Sequence, residues 1–207
     1  MTADAGFITG GHMKKIITIS REFGAGGGEI GRQVAERLNF DFYDKAVIFQ
    51  AARNAGIDTE RMVQWDEKVP ALLGFGQSLF DFYNRPLDEK LFKTQTEIIR
   101  KMGEHGNCVI IGRNANRILH EFDHSLHVFI RAKKRWRIER LKAEKMQDST
   151  EAKISDYLVA VDKTRRRYCQ HYTNTEFGHA DFYDLCLCSS SLGIEKCVEL
   201  ICNVATS

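Results

Sequence analysis

The 207-residue chain has no apolar run long enough to cross a bilayer, and its N-terminus carries no apolar signal core. Its six cysteines (Cys108, Cys169, Cys186, Cys188, Cys197, Cys202) include no C-x-x-C pair. Most of them lie in apolar runs, where reduced cysteine behaves as a small core residue. These absences exclude a membrane span and a disulfide scaffold, and the expected compartment is the reducing cytoplasm. His105, His120, His124, His127, His171 and His179 show no ligand spacing, so no structural metal site is expected. There are no repeats and no low-complexity tracts. A net charge of only +2 gives no chain-wide signal for nucleic acid, and neither nucleic acid nor membrane is expected as a partner. Oligomeric state is not written in the sequence.

The remaining composition, 43% hydrophobic and 28% charged, is that of one folded domain. Short β-branched or apolar runs alternate with helical periodicity. Ile16–Ile19 reads as a first buried strand, with Ile30, Val34 and Leu38 at helical spacing behind a glycine cluster. Further strands are expected over Phe40–Tyr43, Cys108–Ile111, Leu126–Ile130 and Tyr183–Cys188. A helix is expected from Ala46 to Ala55, and a last one capped by Ser191 with Ile194, Val198 and Ile201 inward. Strands apolar on both faces and separated by helices imply a five-stranded parallel sheet covered by helices on both sides. The expected core is 13–56, 108–132 and 179–207. Residues 57–107 read as a helical insert with aromatics Phe75, Phe80, Phe82 and Tyr83, and 133–178 as a basic helical region able to close over a ligand. Residues 1–12 are Gly-rich and patternless, an expected disordered extension ahead of Met13.

Five glycines fall within the eight residues 24–31, between the first strand and its helix. Glycine there lets backbone amides and a helix N-terminus close on an anion. Two anion sites compete. Gly26, Gly28 and Gly31 match the dinucleotide fingerprint G-x-G-x-x-G literally. A dinucleotide turn, however, begins almost at the strand end, whereas six residues separate Ile19 from Gly26. A longer loop that wraps a phosphate before the helix is P-loop geometry.

From Lys14 onward the chain resembles the cytidylate kinase-like family of P-loop nucleoside monophosphate kinases. The resemblance rests on Ile17-Thr-Ile-Ser-Arg-Glu-Phe-Gly24, Tyr43-Asp-Lys45 and Cys108-Val-Ile-Ile-Gly-Arg-Asn-Ala115. The stretch Asp162–Tyr172 and the tail Tyr183–Gly193 complete it. The resemblance implies ATP and Mg2+ as cofactors and a nucleoside monophosphate, with CMP expected, as the acceptor. It also implies that Gly24, Ala25, Gly26, Gly27, Gly28 and Glu29 surround the donor phosphates, that Arg137 and Arg140 are lid arginines near the donor, and that Arg113 meets the acceptor's phosphate. Asp162, Arg165 and Arg166 match a D-x-x-R pattern joining lid and acceptor sites, and the three share a helix face by spacing. Arg21, Asp44 and Lys45 are candidates for the substrate side, Asp44 equally a helix cap. Trp136 either stacks on adenine or packs. The loop departs from the standard Gly-Lys-Ser/Thr ending: Gly27 stands at the lysine position and Glu29 at the hydroxyl position. Asn114 replaces an acidic residue, and Gln50 an arginine. Arg21, Arg113 or lid arginines are the groups available to offset the lost lysine. Three functions stay open: the kinase, a nucleotide-binding sensor without turnover, and a dinucleotide-binding oxidoreductase.

Overall fold

The computed structural model describes residues 13–44, 46–48 and 89–207. Five parallel strands form one sheet: β1 (Ile16–Arg21), β2 (Asp41–Tyr43), β3 (Cys108–Ile111), β4 (Ser125–Arg131) and β5 (Leu185–Cys188), in the order β2-β3-β1-β4-β5. The helices are α1 (Gly27–Leu38), α2 (Glu89–His105), α3 (Ala115–Ile118), α4 (Lys134–Glu144), α5 (Glu151–Thr173), α6 (Ser189–Leu192) and α7 (Ile194–Thr206), with a 3-10 turn at Ala180–Phe182. No helix among the described residues is long and apolar enough to cross a membrane.

Strand alternation divides the core between two faces. Ile17, Ile19, Val109, Ile111, Leu126, Val128 and Ile130 pack with Val34 and Ala35 of α1 and with Cys197, Val198 and Ile201 of α7. On the other face, Ile16, Cys108 and Ile110 meet Ile98, Ile99 and Met102 of α2 and Ile118 of α3. The expected helical insert 57–107 therefore ends, from Glu89 on, in a helix that covers the sheet. Phe75, Phe80, Phe82 and Tyr83, and the expected helix beyond residue 48, lie outside the described residues, as do residues 1–12. A third cluster joins Phe23 to Leu141 of α4 and to Ile154, Leu158 and Val161 of α5. The basic region 133–178 is thus a helical hairpin seated on the loop that follows β1.

Ser191 does not cap the last helix. A one-turn α6 intervenes, and Gly193 (φ 82°) is the N-cap of α7 with no side-chain hydrogen bond. Glycine reaches that backbone angle without steric cost, so the chain re-enters the helix there.

The strand order decides between the two anion sites. In the dinucleotide fold β1 is the neighbour of β2; here β3 lies between them. Gly28 and Gly31 are inside α1, and Gly31 is small because a Cβ would come within 2.4 Å of the Ile111 side chain. The literal fingerprint is a packing coincidence in a sheet of P-loop type. Because α1 and α3 leave β1 and β3 toward opposite faces, a crevice opens at the carboxyl ends of these two neighbouring strands. Ligands of open α/β sheets bind in such a crevice.

One polar group is built into the apolar sheet. His127 Nδ1 lies 2.8 Å from Thr18 Oγ1 and Nε2 3.0 Å from Ser125 Oγ. Burial lowers its pKa from 6.5 to about 4, against a smaller opposing pull from Asp184. The unfolded chain therefore takes up this proton first as pH falls. The contribution of His127 to stability is intact above about pH 6.5 and is lost progressively toward pH 4. Between pH 7.5 and pH 5 the wild type should lose about 2 kcal/mol more folding stability than His127→Gln. Urea denaturation of the two proteins at both pH values measures this, and equal losses would refute it.

Candidate active site

The loop after β1 is shaped by two left-handed glycines and clasped from behind. Gly24 (φ 76°) and Gly26 (φ 80°) turn the chain into α1, and Gly26 caps that helix without any side chain. The first-turn amides of α1 thus meet no capping oxygen, and the positive end of the helix dipole is turned toward the crevice. Behind the loop, the Phe23 amide donates to Asp162 Oδ1 at 2.8 Å, and the Phe23 carbonyl accepts from Arg137 Nη1 at 3.1 Å. Arg137 Nη1 in turn donates to Asp162 Oδ2 at 2.6 Å. Asp162 is 3% and Arg137 8% exposed. Glu22 Oε2 accepts from the Ala132 amide, and Ser189 Oγ donates to the Ala25 carbonyl. Each of the contacts to the loop reaches more than 100 residues along the chain.

In front of the loop, Ser20, Arg21, Gly112, Arg113, Asn114, Arg165, Tyr168 and Phe177 line a cleft. Arg113 and Arg165 are each 5% exposed. Arg165 Nη1 donates to the Arg21 carbonyl at 2.6 Å, and its guanidinium lies 5.5 Å from the centre of the Phe23 ring. Arg113 and Asn114 have φ of 60° and 56°, directly after Gly112 at 72°. A left-handed non-glycine residue costs on the order of 1–3 kcal/mol and persists only where its surroundings over-determine it. Gln95 Nε2 does so here, donating to the Arg113 carbonyl and to the Tyr168 hydroxyl.

Guanidinium groups stay charged even when buried. A cleft lined by Arg21, Arg113 and Arg165 is therefore a preformed positive site, and phosphate oxygens are the groups whose geometry matches the planar fork. The buried Nδ2 of Asn114 and Nε of Arg165, neither with a hydrogen-bond partner, are further donors at the same place. The cleft and loop thus fit the phosphates of a nucleotide such as ATP. Among the described residues, none lining the cleft is a carboxylate; a Mg2+ ion here fits as one carried by the nucleotide's own phosphates.

The profile of the cytidylate kinase-like family matches residues 16–191. The chain belongs to the cytidylate kinase-like family. Among solved structures it is similar to an uncharacterized protein from Eubacterium ventriosum (TM-score 0.71, 23% identity), covering 93% of this chain and 98% of that one. It is also similar to shikimate kinase from Bacteroides thetaiotaomicron (TM-score 0.54, 16% identity), with 91% and 97% covered. No curated protein matches. Family and fold together make the chain a kinase-type phosphotransferase on a P-loop sheet.

Within this kinase-like chain, the residues singled out from sequence fall into three groups. Arg21, Arg113 and Arg165 come together in the cleft beside the loop Gly24–Gly28. Asp162, Arg137 and Arg140 are engaged in holding elements together. Asp162 and Arg137 grip Phe23. Arg140 pairs with Glu29 and, at 3.0 Å, with Glu144, while lying over the Trp136 ring. Trp136 itself packs against the α1/α7 side of the core. The third group stands apart. Arg166, one turn beyond Asp162 on α5, is exposed, whereas Asp162 and Arg165 are buried. Asp44 caps the turn at 46–48, its Oδ1 accepting from the Ala46 and Val47 amides. Lys45 and Gln50 lie outside the described residues. The hydroxyl position also needs correction: it follows Gly27 directly, on Gly28, rather than on Glu29. Sequence reasoning missed Glu22, Gln95, Tyr168 and Ser189, which act through partners distant in the chain and carry no local signal.

Removing Asp162 strands a buried guanidinium and a buried amide, so Asp162→Ala should destabilise the fold by about 3–5 kcal/mol. Glu29→Ala removes a partner whose side chain is 43% exposed, and its cost should stay under about 1 kcal/mol. Chemical denaturation of both variants tests the contrast. Similar losses would show that the Asp162 clasp does not set the loop.

Proposed function

We propose that the protein is a nucleoside monophosphate kinase that moves the γ-phosphoryl group of ATP to a nucleoside monophosphate, with CMP as the expected acceptor. The observation that carries this reading is the gathering of Arg21, Arg113 and Arg165 at the crevice between the glycine loop and the end of β3. Amides of the loop and of α1 suit the β-phosphate of a donor. Three guanidinium groups beside them suit a second phosphate as well as the group in transfer.

Phosphoryl transfer asks little covalent chemistry of a protein. It needs donor and acceptor phosphates in line, water kept out, and positive charge spread over the equatorial oxygens. The loop fixes one end of that line. Arg113, locked in a left-handed turn by Gln95, fixes the other, and Arg165 reaches in from α5. A phosphate acceptor is already largely ionised near neutral pH, so it needs no strong general base. Mg2+ supplies charge neutralisation on the donor phosphates when bound. The helical hairpin α4–α5 bears both on the loop, through Phe23, and on the cleft, through Arg165, which suits it to exclude water over the transfer.

A coupled ADP-release assay with Mg2+ across CMP, UMP, AMP, GMP and dCMP tests this reading. Turnover is expected with a pyrimidine monophosphate, CMP foremost. Arg113→Ala and Arg165→Ala should each lower kcat/KM by about 100-fold or more, roughly 3 kcal/mol of transition-state stabilisation. Tight ATP binding without turnover on any acceptor would instead favour a nucleotide sensor, the reading that the missing loop lysine supports.

A further inference from the structure

Two glycines of the site lie against the same arginine. A Cβ built on Gly27, at the position where a P-loop normally carries its lysine, would lie 2.7 Å from Arg21 Cβ and 2.8 Å from its Cγ. Real Cβ atoms essentially never come so close, and the stem of an arginine next to its own backbone cannot swing far aside. At the other end, a Cβ on Gly112 would lie 2.0 Å from Arg21 Nη1 and 3.2 Å from its Cζ. Arg21 therefore leaves the end of β1, crosses the first residue of α1, and lays its guanidinium against the end of β3. Its carbonyl is held by Arg165, which fixes the point from which the side chain starts.

From this geometry we infer that Arg21 does the work of the absent lysine, binding the β- and γ-phosphates of the triphosphate donor from the strand side of the loop. The inference rests on the kinase reading above and adds which residue supplies the donor's cation. The two side chains are alternatives for one space: with Arg21 present, a lysine stem at position 27 has no room. With glycine at 27, the arginine stem lies over the helix start and carries its charge into the cleft. The guanidinium gains what an ammonium lacks, a fork able to span two phosphate oxygens at once. It also lies against Gly112, the residue before Arg113.

Four variants test this: Arg21→Met, which keeps the stem that packs on Gly27 and removes the charge; Arg21→Gly; Gly27→Lys; and the swap Arg21→Gly/Gly27→Lys, in which glycine at 21 also removes the Cβ that would lie 2.7 Å from a Cβ at 27. ATP affinity is read by titration calorimetry with Mg2+, turnover by the acceptor panel, and folding by thermal melts. Arg21→Met should melt near the wild type, bind ATP at least 10-fold more weakly and lose at least 100-fold in kcat. Gly27→Lys alone should also lose ATP affinity, because lysine and arginine then contend for one place. The swap should recover at least 10-fold of the kcat lost by Arg21→Gly. Arg21→Met within twofold of wild type in both affinity and kcat overturns the inference, as does a swap no more active than Arg21→Gly. A wild type that binds no ATP defeats the kinase reading itself. A wild type that turns over, beside an equally active Arg21→Met, defeats the role of Arg21 alone.

Discussion

The site depends on one buried ion pair. Asp162 and Arg137, joined at 2.6 Å, take hold of both polar groups of a single peptide residue, the amide and the carbonyl of Phe23. A buried pair seldom adds much net stability, since removing two charges from water costs about what their attraction returns. Its value is geometric. With both partners committed to the same backbone residue, the loop between β1 and α1 has one path, and the α4–α5 hairpin has one seat upon it. Arg165, three residues beyond Asp162 on α5, is then delivered to the Arg21 carbonyl.

What the clasp delivers is charge in a place that water does not reach freely. Arg113 and Arg165 are almost fully buried, and Arg113 is held there on a left-handed backbone. Under the kinase reading, the phosphates of a ligand add counter-charge to the cations that converge on this cleft. The arrangement is preorganised: the donors stand ready before any phosphate arrives, so little reorganisation accompanies the chemistry. A glycine loop without lysine is consistent with that design, because the loop contributes amides while the surrounding elements contribute guanidinium groups.

The layered architecture was readable from the chain. Apolar strands such as Cys108–Ile111 and Leu126–Ile130, alternating with helical periodicity, announce a parallel sheet because burial on both faces leaves no polar alternation. Boundaries drifted where local chemistry intervened. The last helix starts after Gly193 rather than at a serine cap, and the fifth strand begins later than expected because a 3-10 turn precedes it. The site was legible in part. Glycine spacing gave the loop, yet the same spacing also spelled a dinucleotide fingerprint, and only the position of β3 between β1 and β2 separates the two. Three neighbouring arginines, Arg165 to Arg167, looked alike in sequence; one is buried in the cleft and two are exposed.

The sequence by itself determined a phosphate-binding glycine turn on a parallel sheet, since periodicity and backbone freedom are local properties of a chain. Only the tertiary structure decided which charges line the cleft and which are committed to holding the fold. Arg137 and Arg165 are both buried helical arginines, and the difference between them is a carboxylate: Asp162 lies within reach of one, and the cleft lies before the other. The emptiness of position 27 is likewise intelligible only in space, where the stem of Arg21 occupies what a lysine would need. Steric exclusion and charge pairing act across distance in the fold, and neither leaves a mark on neighbouring residues of the chain.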